Sequence, residues 1–322
     1  MKAQMKIVST FVALAAAAAT AAAQGYPSRA VRVVVPFSPG GVADVIARTV
    51  APKLAEAWGQ PVVIENRPGA GGSVGASAVA RSPADGHTLL VHASGYAINA
   101  AINPSLPYDP RKDLVEVAAL ASQPMVLVVG TVSGLRSVAD LIAAARRRPG
   151  QTNYGSAGAG TGTHFNAEKF RIAAGFDAVH IPYKGGAEAI QDTIAGRITF
   201  TFTTVTAALP HIPDGRVLAL GVSSARRTSL LPEVPTIAEA GLPGFEYSFW
   251  NGLWAPAATS AELVDKISRD VARVLAMQEV RERLTRLGAE PMSMTPAEFA
   301  RFVRSEIEDS ACIARTAGIG LQ

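Results

Sequence analysis

Short apolar runs alternate with stretches of helical spacing along most of this chain. Segments that read as strands, most of them apolar and rich in β-branched or aromatic residues, fall at 31–36 (VRVVVP), 61–65 (PVVIE), 88–92 (TLLVH), 125–129 (MVLVV), 152–154 (TNY), 178–182 (AVHIP), 198–203 (ITFTFT) and 217–222 (VLALGV). Between most of them apolar residues recur at helical spacing. Val42, Val45, Ile46, Thr49 and Val50 form one such face. Alternation of this kind predicts an α/β protein containing parallel β–α–β units, whose ligands bind at the carboxyl ends of the strands.

The last part of the chain is more helical. Thr259-Ser260-Ala261-Glu262 and Thr295-Pro296-Ala297-Glu298 both read as capping boxes, the second with proline at the first helical position. Behind them Leu263, Ile267, Val271, Val274 and Leu275, then Phe299, Phe302, Val303 and Ile307, repeat at helical spacing. Two places read as crossings between lobes: Ser122-Gln123-Pro124, and the interruption after Val222. The expected organisation is a discontinuous first lobe, residues 24–122 with 224–322, and an inserted second lobe, residues 123–223.

Composition adds compartment and class. Lys2 and Lys6 precede an apolar, alanine-rich stretch from Ile7 to Ala18, and Ala21-Ala22-Ala23 supplies small residues for cleavage. Residues 1–23 are therefore expected to be a secretory signal peptide. The chain beyond Ala23 is long enough for two domains. A hydrophobic fraction of 48% is ample for a core, and no second long apolar run is present. Without Lys2 and Lys6 the charge is nearly balanced, 28 basic against 26 acidic side chains. Arg146-Arg147-Arg148 is the one tight basic cluster, at an expected helix C-terminus. Nucleic-acid binding is not expected. The single cysteine, Cys312, allows no intramolecular disulfide.

The candidate chemistry lies in glycine-rich turns that end strands and open helices. In the first, Phe37-Ser38-Pro39-Gly40-Gly41 leads into a helical pattern containing Asp44. Glycine there admits close approach of a ligand to backbone N–H groups, and a helix N-terminus attracts an anion. Asp44 either complements the helix dipole or accepts a hydrogen bond from a ligand or water. In the second turn, Gly155 to His164, the hydroxyls of Ser156, Thr161 and Thr163 stand among Gly158, Gly160 and Gly162. Uncharged donors suit a weak, reversible anion site. His164 reads as a packed or capping histidine or as a ligand contact. A third turn, Ile181 to Gly186, offers Lys184, and Thr203 and Thr204 close the strand expected at 198–203.

Enzyme signatures fit poorly. Gly71-Gly72-Ser73-Val74-Gly75 matches a nucleophile elbow literally, yet Asn66 to Ala70 separate it from a strand. Ser73 is expected to cap a helix instead of serving a hydrolase. No phosphate-loop lysine follows the second glycine turn, and the five histidines show no metal spacing. No cofactor and no metal are expected.

Several segments together resemble the solute-binding receptors of tripartite tricarboxylate transporters, the Bug-type receptors. They are PFSPGGVADVIAR (36–48), VVIENRPGAGGSVGASAVARSPADGHTLL (62–90), NYGSAGAGTGTH (153–164), IPYKGGAEAIQDTIAGRITFTF (181–202), LPEVPTIAEAGLPGFE (231–246) and WNGLWAP (250–256). The resemblance implies a periplasmic-binding fold of two doubly wound lobes. It also implies a small carboxylate in the cleft, held largely by backbone groups and ordered waters. Carried over by position, the binding elements are Phe37, Ser38, Gly40, Gly41 and Asp44 of one loop, and Ser156, Gly160, Thr161, Thr163 and His164 of the other. Ser94, Lys184, Thr203 and Thr204 are carried over beside them. Dicarboxylates, tricarboxylates, amino acids and aromatic acids all fit this reading, and Val42 and Ala43 lean toward an apolar or aromatic ligand body. The implied protein is a periplasmic monomer that delivers its ligand to membrane permease subunits. A module presenting ligand to a sensor kinase would use the same binding chemistry.

Overall fold

The computed structural model describes residues 25–319; the signal peptide expected at 1–23 lies outside them. Among the described residues ten strands form one sheet with two halves. In the first half β1 (Val31–Val35) pairs in parallel with β2 (Val62–Asn66) and β3 (Thr88–Ala93). In the second, β5 (Asn153–Ser156) pairs in parallel with β6 (Val179–Pro182) and β7 (Phe200–Thr204). These are the expected parallel units. The strands that join the halves are antiparallel to their neighbours. β4 (Leu114–Gly130) pairs with β9 (Ser248–Pro256) as far as Pro124, then with β7 and with β8 (Val217–Val222) from Met125 onward. A short β10 (Glu290–Pro291) sits against Ala121 and Ser122.

β4 is far longer than the 125–129 run predicted. Its first part, Leu114 to Ser122, is alanine-rich and lacks a strand signature, and is made extended by pairing with β9. β9 itself was not predicted. Trp250, Gly252 and Trp254 alternate along one face, and Gly252 leaves the room that the Phe299 ring fills. A fully buried phenylalanine contributes about 1.5–3 kcal/mol, so that glycine serves packing rather than a turn.

The helices are α1 (Val42–Trp58), α2 (Ser73–Ala80), α3 (Gly95–Ile102), α4 (Val138–Arg147), α5 (Gly162–Ala174), α6 (Gly186–Ile194), α7 (Val205–Ala208), α8 (Ala261–Ala276), α9 (Gln278–Arg286) and α10 (Pro296–Ala317). α1, α8 and α9 cover one face of the first half-sheet around Ile46, Val50, Ile267 and Val271. α2, α3 and α10 cover the other around Tyr96, Trp250, Trp254 and Phe299. The buried face of α1 runs through Ala43, Ile46, Ala47, Val50 and Leu54, leaving Val42 and Val45 half-buried. Arg146 and Arg147 end α4, as their charge favours.

Two local expectations need correction. The box at Thr259 is displaced by one residue: Ser260 caps α8, accepting from the Leu263 N–H, while the Thr259 hydroxyl is buried without a partner. The Thr295–Glu298 box forms as predicted. The return from the second half also comes later than Val222. Ile237 and Phe245 pack into the second core beside Phe170 and Phe200, and Leu231 packs against Val126 and Val128. Three chain segments thus cross side by side, stitched by Ser223. Its N–H donates to Met125 O, its hydroxyl bonds Met125 N and Tyr247 O, and the Tyr247 N–H donates to its carbonyl.

Candidate functional site

A cleft of about 540 Å³ opens where the two halves face each other. Its wall in the first half comes from Phe37 after β1, from Ala70 and Gly71, and from Ala93 and Gly95 around the start of α3. Asn99, Ile102 and Asn103 extend that wall along α3. The facing wall is the Ala159–Gly162 loop, and Phe249 lies where the chain crosses. None of these residues is charged. The glycines matter here through what they leave open. A Cβ on Gly162 would come within 3.0 Å of the Phe249 ring, and one on Gly160 within 3.6 Å of Ile102 Cδ1.

The first loop is held from below by a polar network. Gly41 caps α1 without any side-chain hydrogen bond, which leaves the first-turn N–H groups for a ligand. Asp44 is 1% exposed. Its carboxylate accepts from Gly40 N at 2.9 Å, from Arg48 Nε at 2.9 Å and from Asn66 Nδ2 at 2.8 Å. Asn66 also donates to Phe37 O. Burial pushes this carboxyl up, yet the hydrogen bonds from Arg48, Gly40 and Asn66 outweigh it and hold it below the usual range. Asp44 therefore braces the loop. Asn66 and Arg48, not predicted as site residues, complete the brace; only the ENRPGAGG segment hinted at it.

The second loop is also braced from within. Ala157 N donates to Thr163 Oγ1, Gly158 N to Ser156 Oγ and Gly160 N to His164 Nδ1. Thr161 caps α5, accepting from His164 N. His164 is buried and stacks on His180 with ring centroids 3.8 Å apart. Burial, then the His180 and Arg171 charges, lower its pKa to about 3, so the ring is neutral and free to accept from Gly160. His180 in turn bonds Ser156 Oγ at 2.6 Å.

Of the predicted residues, Phe37, Gly160 and Thr161 line the cleft. Ser38, Gly40 and Gly41 lie on the loop that continues from Phe37. Ser94 sits between two lining residues, buried, its hydroxyl without a partner. Asp44, Ser156, Thr163 and His164 lie behind the two loops as their internal partners. Lys184, Thr203 and Thr204 stand apart from the lining. Lys184 is exposed, Thr203 is buried, and Thr204 precedes α7 without a capping bond. Ser73 is a buried first residue of α2 behind Gly72, not a cap, and among the described residues no hydrogen bond links it to a histidine. Asn99, Asn103, Ile102 and Phe249 were missed; they belong to no glycine turn. Among the described residues no three His, Cys, Asp or Glu side chains gather as a metal site, and no helix is long and apolar enough to cross a membrane.

Comparison with known proteins gives a consistent picture. Residues 46–319 match the family described as the tripartite tricarboxylate transporter family receptor, TctC. The protein BugT of Bordetella pertussis is 36% identical over 99% of this chain and 98% of its own length. Two solved structures from Rhodopseudomonas palustris superpose well. Rpa4515 with adipate is 37% identical, with a TM-score of 0.78 over 91% of this chain and 98% of that one. MatC with bound malate is 34% identical, with a TM-score of 0.74 over 89% and 99%.

Proposed function

Because this chain belongs to the tripartite tricarboxylate transporter receptor family, a family of periplasmic solute-binding proteins, we propose that it captures a small carboxylate in the cleft described above and delivers it to membrane permease subunits. The observation that carries this reading is a cleft lined by no charged side chain and walled by Phe37 of one glycine-rich loop and by Ala159–Gly162 of another, one loop from each half and each leading into a helix. Such a site holds an anion through backbone N–H groups and helix termini. Relatives of known structure were solved with adipate and with malate, which supports the ligand class. The halves act as lobes, divided at Pro124–Met125 and Tyr247–Ser248, that close on the ligand. Export by the N-terminal segment belongs to the same proposal.

The test is a thermal-shift screen of protein that has been unfolded, stripped and refolded, against C4 to C6 dicarboxylates, citrate, acidic amino acids, nicotinate and benzoate. A ligand binding only the folded state adds about 2.7 kcal/mol at a hundredfold excess over its Kd. A clear shift with one class supports the receptor reading. No shift with any carboxylate overturns it. Loss of uptake of the same ligand on deletion of the gene tests delivery.

A further inference from the structure

α10 serves two cores along its length. It has 22 residues, so it runs for about 33 Å. Its first turns belong to the first half, where Phe299, Val303 and Ile307 are buried with Trp250 and Trp254. Its last turns leave that core. Ile313 and Ala314 are buried in a separate cluster with Ile98 of α3 and Phe165 of α5, and Ile102 and Ile172 pack around it. Phe165 and Ile172 come from the second half; the other four come from the first. The cluster is thus an apolar seam between the halves, apart from the three crossing segments. Lys169 of α5 also pairs with Asp309 of α10 at 3.7 Å, but both side chains are solvent-accessible and the pair adds little.

The seam adjoins the cleft through α3. Ile102 lines the cleft, and a Cβ on Gly160 of the opposite loop would lie 3.6 Å from its Cδ1. Ile98 stands one turn earlier on the same helix. On the other side Gly162 lines the cleft and opens α5, and Phe165 follows within the first turn. Each helix moves as a unit with its half. Drawing the Gly160 loop away from Ile102 therefore draws Phe165 away from Ile98, and widening the cleft parts the seam. We propose that this seam is a latch: Phe165, Ile98 and Ile313 set the balance between the open and the closed receptor. They are positioning residues for affinity, and none of them lines the cleft. Apolar surface that is buried only while the halves meet favours the closed state, and a ligand that needs the closed state binds in proportion to its population. A latch that does not meet the ligand scales the affinity for every ligand alike. This inference rests on the carboxylate-receptor reading above.

The experiment is calorimetric titration of refolded wild type, Ile313→Ala and Ile98→Ala with adipate, malate, citrate, glutamate and nicotinate. Val271→Ala, buried in the first-half core outside the seam, is the control for lost stability alone. Every acid that binds the wild type should bind both seam variants about five- to tenfold more weakly, in an unchanged order, while Val271→Ala keeps the wild-type Kd. Thermal unfolding checks that each variant folds. Ile313→Val, which removes one methylene, should move the Kd in the same direction by a smaller factor and replaces an alanine variant that does not fold. A wild-type Kd in the seam variants, a changed order of acids, or equal weakening by Val271→Ala overturns the latch and leaves the receptor reading intact. Binding of none of these acids by the wild type, with no shift in the wider screen, overturns both.

Discussion

Asp44→Asn separates a carboxylate that braces the loop from one that contacts ligand. Three donors converge on Asp44, from Gly40, Arg48 and Asn66. Asparagine keeps one acceptor oxygen and sets an NH2 against a donor, so at least one buried donor loses its partner, a loss of about 1–3 kcal/mol. The ion pair adds little, because the Arg48 side chain is 47% exposed and screened. Urea unfolding at neutral pH should show the loss, and ligand affinity should fall with it as the Phe37–Gly41 loop loosens. The pH dependence has a definite sign. The folded pKa lies below the unfolded value, so this contribution is fully present above about pH 4 and disappears as pH falls through the folded pKa. Wild type and variant should therefore differ most at neutral pH and converge in acid. An Asn variant as stable as wild type at pH 7 that nonetheless loses binding would refute the brace and make Asp44 a direct ligand contact.

Three further changes probe other parts of the molecule. Gly72→Ala places a Cβ on His92 Nε2 at a residue with φ +98°. The imidazole is fully buried among Phe37, Tyr96 and Trp254, so urea unfolding should show a loss of about 2 kcal/mol or more, and an unchanged midpoint would contradict it. Lys184→Ala removes an exposed cation outside the cleft, and calorimetry should find the Kd within about threefold of wild type; a larger loss would place Lys184 at the ligand. Ser260→Ala should lower stability by about 1 kcal/mol, whereas Thr259→Val, which removes an unpartnered buried hydroxyl, should be neutral or stabilising. The reverse order would restore the cap to Thr259.

Parallel strands such as β1, β2 and β3 were legible because they are compact runs dominated by Val, Ile and Leu, and the helices because their faces repeat at a fixed spacing. What escaped was structure made by pairing. The first part of β4 is alanine-rich and β9 carries Asn251 and Gly252; both are extended because a partner strand supplies their hydrogen bonds, and local propensity carries no trace of that. The later return crossing has the same origin. Residues 224–247 are broken by prolines and glycines, which reads as a boundary, yet Leu231, Ile237 and Phe245 are buried by surfaces remote in sequence.

The site was half legible, for a reason that bears on specificity. The sequence points to polar residues within glycine turns, and the structure places most of them behind the loops. A glycine-rich loop has few side chains with which to hold its own shape, so Ser156, Thr163 and His164 meet its N–H groups, and Asp44 does the same in the first loop. What is left for a ligand is backbone, the space that glycine leaves open, and the side chains of α3 and Phe249, which no motif marks. The turns thus shape the cradle, while Asn99, Ile102, Asn103 and Phe249 line it from outside the turns. Substitutions in the turns should alter affinity for every carboxylate together, and Asn103→Asp, which changes a cleft-lining side chain outside the turns and keeps the Ser105 bond, should change affinities unequally from one acid to another. A panel of Kd values over several acids for Asp44→Asn and Asn103→Asp reads this directly. Uniform weakening by both would remove the distinction.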